Sequence, residues 1–130
     1  RLSLKGIIIN DKNEVLVVKE ADRDFWDVPG GGMDHGETIK DALAREMYEE
    51  VSLSGDFEYQ IIAIEDPAYL ESANILQVRL IFHITPVTME FAPGVDGDEI
   101  GFVSIASLKD SSAWSESLIY KYASIVVKDV

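Results

Sequence analysis

No cysteine occurs among the 130 residues, which excludes disulfides, thiolate zinc sites and a cysteine nucleophile. Basic residues are scarce as well. Eleven Lys and Arg stand against 24 Asp and Glu, a formal charge of −13, and long nucleic acid needs clustered cations to neutralise its phosphates. The longest apolar runs, Gly6–Ile9 and Leu80–Ile84, are far too short to cross a bilayer, and no apolar segment follows a basic start. These absences predict a soluble single domain over residues 1–130, with the cytoplasm as default location. The expected partner is a small molecule, not nucleic acid or membrane, and the chain is a monomer or homodimer. An acidic protein that handles an anionic substrate needs divalent cations between the two.

What remains reads as short elements. Leu2–Ile9 and Glu14–Lys19 are β-rich runs on either side of the turn-tolerant Asn10–Asn13, predicting a hairpin, and Phe25–Val28 reads as a short third strand. Pro29 to Gly32 then interrupts regular structure. Thr38–Val51 has good helix formers and neither Pro nor Gly. Asp56–Glu65 and Ile75–Pro86 are longer strand candidates, Ala92–Gly97 is a loop, and Glu99–Ser104 is a final strand. Ser112 to Lys128 closes the chain as a helix, with Trp114, Leu118, Ile119 and Tyr122 at helical spacing. Strands interrupted by two helices predict an α/β sandwich, a mixed sheet between helices.

Chemistry concentrates in residues 30–53, GGGMDHGETIKDALAREMYEEVSL. On a helix advancing about 100° per residue, Glu49 and Glu50 fall roughly 60° and 40° to either side of Glu46. Three carboxylates on one narrow face repel one another and ask for a counter-ion; hard oxygen donors suit magnesium or manganese. A solvated acidic face is the ordinary alternative. Two features argue against it: the glycines upstream let backbone approach a ligand, and Ile39, Leu43, Met47 and Val51 form a stripe that would pin the helix to a sheet.

The segment resembles the signature of the Nudix hydrolases (MutT-like), G-x5-E-x7-R-E-U-x-E-E-x-G-U, with U a bulky aliphatic residue. Gly31, Glu37, Arg45, Glu46, Glu49 and Glu50 fill six of the seven fixed letters, and Met47 and Leu53 fill both U positions, so the box spans residues 31–53. Trp26-Asp27-Val28-Pro29 before it is also similar to the family. The last fixed glycine is Ser52 here, where the helix should end in a left-handed residue. Either Ser52 takes that conformation or the helix stops differently, using Gly55.

The resemblance implies the Nudix fold and a magnesium- or manganese-dependent pyrophosphohydrolase, acting on a nucleoside diphosphate linked to another group. A nucleoside triphosphate is the example favoured by the compact length. It implies Glu46, Glu49, Glu50 and the Gly30 carbonyl as metal ligands, with Glu46 alternatively the base that activates water. Arg45 belongs with the catalytic residues, bracing loop and helix with Glu37. Glu99, beside Asp98 after the Ala92–Gly97 loop, is the candidate extra ligand or base; a solvated acid is the alternative. Arg23, Trp26 and Glu37 are the expected substrate contacts, Trp26 by stacking on a base unless it belongs to the core. Phe25 and Tyr69 share the stacking chemistry, and Arg79 and Lys19 are cations suited to a terminal phosphate. His83 reads as a sheet histidine and His35 as an exposed loop residue. The rival functions are a catalytically silent nucleotide sensor, and a hydrolase of ADP-ribose or dinucleoside polyphosphates.

Overall fold

In the computed structural model, which describes residues 1–95 and 99–128, strand β1 (Leu2–Ile7) has both edges occupied. It runs parallel to β6 (Ile75–Pro86) on one side and antiparallel to the short β3 (Gly30–Gly32) on the other. Beyond β6 lies β4 (Phe57–Ile64), antiparallel, with a bulge between Ile61 and Ala63. A three-residue strand, β5 (Ala68–Leu70), pairs with the start of β6. A second sheet joins β2 (Glu14–Lys19) antiparallel to β7 (Glu99–Ser104).

Two helices, α1 (Ile39–Val51) and α2 (Trp114–Val126), complete the sandwich. Alternation along the strands assigns each helix its own core. Leu4, Phe82 and Ile84 pack with Leu43, Met47 and Val51 of α1, whereas Ile7 and Ile81 pack with Ile119, Tyr122 and Ala123 of α2. Strand β2 serves both: Leu16 and Val18 face the first core, Val15 and Val17 the second.

Four expectations need correction. The Leu2–Ile9/Glu14–Lys19 hairpin exists only at its tip, where Leu16 N–H donates to the Ile8 carbonyl and Ile9 bridges Val15. With both edges of β1 taken, β2 leaves for β7. Phe25–Val28 forms no strand; Asp27 alone exchanges two backbone hydrogen bonds with Val18. Conversely, Gly30–Gly32, expected to interrupt regular structure, is a strand: Gly30 has φ 149° and a Cβ there would run into the Leu4 carbonyl, so only glycine closes this edge of β1. Trp114, expected on the apolar stripe of the last helix, starts α2 and is 68% exposed.

Ser52 does take the left-handed conformation, with φ 57° and ψ 28°. Its N–H donates to the Tyr48 carbonyl and that of Leu53 to Met47, while Ser52 Oγ reaches the Pro93 carbonyl at 3.3 Å. The next loop satisfies more of the helix end, Ala92 N–H donating to Val51 and Gly94 N–H to Glu50. Ser52→Gly is expected to stabilise by about 0.5–1 kcal/mol, the left-handed strain less the lost hydroxyl contact, with turnover unchanged within about twofold. Thermal melting alongside initial rates checks this; a rise in rate without a rise in Tm would contradict it.

Candidate functional site

Helix α1 begins at Thr38, whose Oγ1 accepts from Asp41 N–H, and Glu37 just before it accepts from Asp34 N–H at 2.7 Å. Leu43, Met47 and Val51 are buried and fix the helix against β1 and β6; Ile39, at the first turn, remains 36% exposed. That seating turns Glu46 inward. Its side chain is buried beside Gly31, where a Cβ would stand 2.7 Å from both carboxylate oxygens. Any side chain at position 31 would push the Glu46 carboxylate from this place.

Arg45 is the hub. Its Nε and Nη2 hold Glu37 in a fork at 2.7 and 2.9 Å, Nη2 also donates to the Gly32 carbonyl at 3.0 Å, and Nη1 donates to Glu46 at 2.9 Å and Glu49 at 3.4 Å. Asp34 lies 3.5 Å away. One guanidinium thus ties the glycine strand, the loop and the acidic helix face together. The bond to Arg45 is the main reason the Glu37 carboxyl is lowered to about 2. Its contribution to stability is complete above about pH 4.5 and is lost only as pH falls toward 2.

Glu46 and Glu50 shift the other way. Desolvation is the largest cause in both, raising Glu46 against the pull of Arg45 and pushing Glu50 up to about 7. Glu50 accepts from Gly30 N–H at 3.2 Å, and the nearby Lys5 ammonium favours its charged form. Lys5, missed in the sequence because it interrupts a β-rich run, is largely buried. Its Nζ lies 3.4 Å from the Val28 carbonyl and 3.5 Å from Asp27.

Two cavities adjoin this end of the sheet. A small one, about 50 Å³, is lined among others by Lys5, Gly30, Glu50, Arg23 and Asp27. A larger one, about 290 Å³, shares Arg23, Phe25 and Asp27 with it and adds Arg79, Trp114 and Ser115. Together they make a track from the Glu50 carboxylate to the start of α2. Arg23 lines both; Trp26 lines neither, its ring packing on the α2-side core with Lys19 Nζ 4.4 Å from its centroid. The aromatic rings that line the larger cavity are those of Phe25 and the exposed Trp114. Glu37 turns to Arg45 and lies in neither cavity. Glu99 is exposed at the start of β7 opposite Lys19, outside the Arg45 network, while Asp98 lies outside the described residues. Tyr69, on β5, donates its hydroxyl to Asn74 and lines neither cavity.

Among the described residues no three His, Asp or Glu side chains already converge as an ion cage. Glu46 and Glu49 face Arg45, and Glu50 faces Gly30 N–H. The donor set nevertheless fits a hard divalent cation: Glu46 and Glu50 are withdrawn from water and Glu46 raises Glu50 by its charge, a repulsion that a cation relieves.

The NUDIX domain model matches residues 1–122. The chain belongs to the Nudix hydrolase family. An RNA pyrophosphohydrolase of Ruthia magnifica subsp. Calyptogena magnifica is 45% identical over 70 residues, 54% of this chain and 38% of that protein. The chain thus spans less than half the length of that curated relative. A MutT structure from work on Aliivibrio salmonicida and Vibrio cholerae aligns with a TM-score of 0.71 and 25% identity, covering 95% of this chain and 97% of that one. The MutT Nudix hydrolase of Burkholderia pseudomallei aligns with a TM-score of 0.74 at 17% identity, covering 94% and 96%. The mixed sheet between two helices is the Nudix fold, as its sequence implied.

Proposed function

We propose that this Nudix chain is a magnesium- or manganese-dependent pyrophosphohydrolase that cleaves the diphosphate of a nucleoside diphosphate bearing a further group. A nucleoside triphosphate, cut to monophosphate and pyrophosphate, is the leading substrate. The observation that carries the reading is the buried Glu46, held by Arg45, beside the partly buried Glu50, held by Gly30 N–H, with Glu50 lining a small cavity that shares Arg23, Phe25 and Asp27 with a neighbouring one of nucleoside size. Glu46, Glu49, Glu50 and the Gly30 carbonyl are the residues that would hold the metal. When bound, it would supply Lewis acidity toward the phosphate oxygens and a water of lowered pKa.

The chain's own residues do the rest. Arg45 holds Glu46 in place, and Lys5 offers a fixed positive charge to the diphosphate between the carboxylates and the larger cavity. Glu46, or Glu99 brought in from β7, takes the proton from the attacking water, and no covalent enzyme intermediate is needed. Arg23 contacts the substrate where the two cavities meet. The RNA pyrophosphohydrolase relative motivates a second reading, the diphosphate at an RNA 5′ end, which offers the same chemistry but must overcome the −13 charge.

A substrate panel tests both: nucleoside triphosphates, ADP-ribose, a dinucleoside polyphosphate and 5′-triphosphorylated RNA, in magnesium at alkaline pH, with phosphate and pyrophosphate scored separately. Metal-dependent release of pyrophosphate from a nucleoside triphosphate is expected. Inertness toward the whole panel would leave the silent sensor, and the proposal would fail.

A further inference from the structure

The larger cavity contains a charge that the hydrolytic chemistry does not require. Arg79 sits on β6, an interior strand between β1 and β4, where a charged side chain is buried only when paired. Its side chain is 17% exposed, and Nε lies 3.3 Å from Glu65 Oε1 but out of line for a hydrogen bond, with no other acceptor among the described residues. Glu65 in turn accepts from the Tyr122 hydroxyl of α2. Burial, then Glu65, push the Tyr122 hydroxyl far upward, so it remains a donor at every working pH. The Glu65 carboxylate therefore offsets the charge of Arg79 while Tyr122 fixes the carboxylate.

A guanidinium so balanced attracts anions weakly, yet it still presents only N–H donors in a planar fork. The same cavity offers Phe25 and the exposed Trp114 ring as flat apolar surfaces, and its volume of about 290 Å³ suits one nucleoside. Asp27, the carboxylate in the same lining, is already engaged by Val28 N–H and Lys5, so the Arg79 fork, all donors and no acceptor, is what can discriminate between bases. A keto-purine presents two adjacent acceptors, O6 and N7, whereas adenine places an amino donor beside N7.

We propose that Arg79, positioned by Glu65 and Tyr122, is the specificity-determining residue of this cavity, reading the paired-acceptor edge of a keto-purine nucleotide and disfavouring the amino edge of adenine. The inference rests on the proposed function in placing the substrate's nucleoside in this cavity. Glu65 is a positioning residue, as is Tyr122. Arg79→Lys keeps the charge beside Glu65 but loses the fork, and Tyr122→Phe releases the carboxylate.

The test is calorimetric binding of GMP, IMP and AMP to the full chain in EDTA, so that neither metal nor turnover enters. GMP and IMP are expected to bind at least tenfold more tightly than AMP, Arg79→Lys to reduce that ratio to within about twofold, and Tyr122→Phe to fall between. Melting curves identify any variant that fails to fold, in which case Tyr122→Phe alone carries the test. In magnesium, Tyr122→Phe should raise KM for GTP several-fold with kcat little changed, which general loosening of the fold would not produce. Equal affinity of the wild type for the three nucleotides, no binding of any, or a preference that survives Arg79→Lys would overturn the inference. So would selective binding of inorganic phosphate at Arg79, the mark of an anion site. A wild type that prefers GMP but hydrolyses nothing would refute the proposed function and leave the Arg79 inference standing.

Discussion

Exchange of Arg45 for lysine is expected to reduce kcat by about 100-fold or more while lowering stability by about 2 kcal/mol. An ammonium can replace one of the contacts to Glu37, Gly32 and Glu46 but not the fork that makes them simultaneously. The rate effect arises because Glu46 is buried and loses its principal positive partner, so its carboxylate relaxes away from the glycine strand; misplacement by about 1 Å costs on the order of 100-fold. The stability effect is below that of a fully buried broken pair because Arg45 is partly exposed. For a chain of this length it corresponds to a Tm drop of roughly 5–10 °C. Paired melting and steady-state measurements decide: loss of stability with an unchanged rate would mean that Arg45 braces the fold without governing the site.

Exchange of Glu50 for glutamine should separate stability from function in the opposite direction. Glu50 is pushed up to about 7 mainly by burial, so the folded chain favours its neutral form. Because the folded pKa is raised above the unfolded value, the side chain costs nothing below about pH 4.5, and the penalty grows until pH passes about 7. At pH 8 without metal, Glu50→Gln is expected to stabilise on the order of 1–3 kcal/mol, keeping an oxygen acceptor for Gly30 N–H. At pH 4 the two proteins should melt alike. In magnesium the same variant should lose about 1,000-fold in rate, since the amide cannot supply the charge a hard cation requires. A variant less stable than the wild type at pH 8 would contradict the burial argument.

The parts legible in the sequence are those set by local rules. Helix α1 and the strands Glu14–Lys19, Ile75–Pro86 and Glu99–Ser104 follow from pattern and propensity, and the helical box residues Arg45, Glu46, Glu49 and Glu50 follow from their fixed spacing along α1. Pairing was less legible because it depends on which strand edges are free: β2 reads as the hairpin partner of β1, yet β3 and β6 already occupy both edges. The glycine strand was concealed by composition, since Gly30–Gly32 pairs with β1 for lack of side chains that would collide with Leu4 and Glu46. Lys5 and Trp114 escaped for a related reason: each looks like part of an ordinary strand or helix stripe until the fold brings residues 5, 23, 79 and 114 to one track. Arg79 was noticed by residue type, but only the Glu65–Tyr122 arrangement gives it a chemical task.

Crystals soaked in manganese and measured for anomalous scattering address the metal site most directly. A strong peak within coordination distance of Glu46, Glu49, Glu50 and the Gly30 carbonyl is expected, with Arg45 still holding Glu37. A saturating soak that leaves those carboxylates without a peak, or places manganese only elsewhere, would contradict the account.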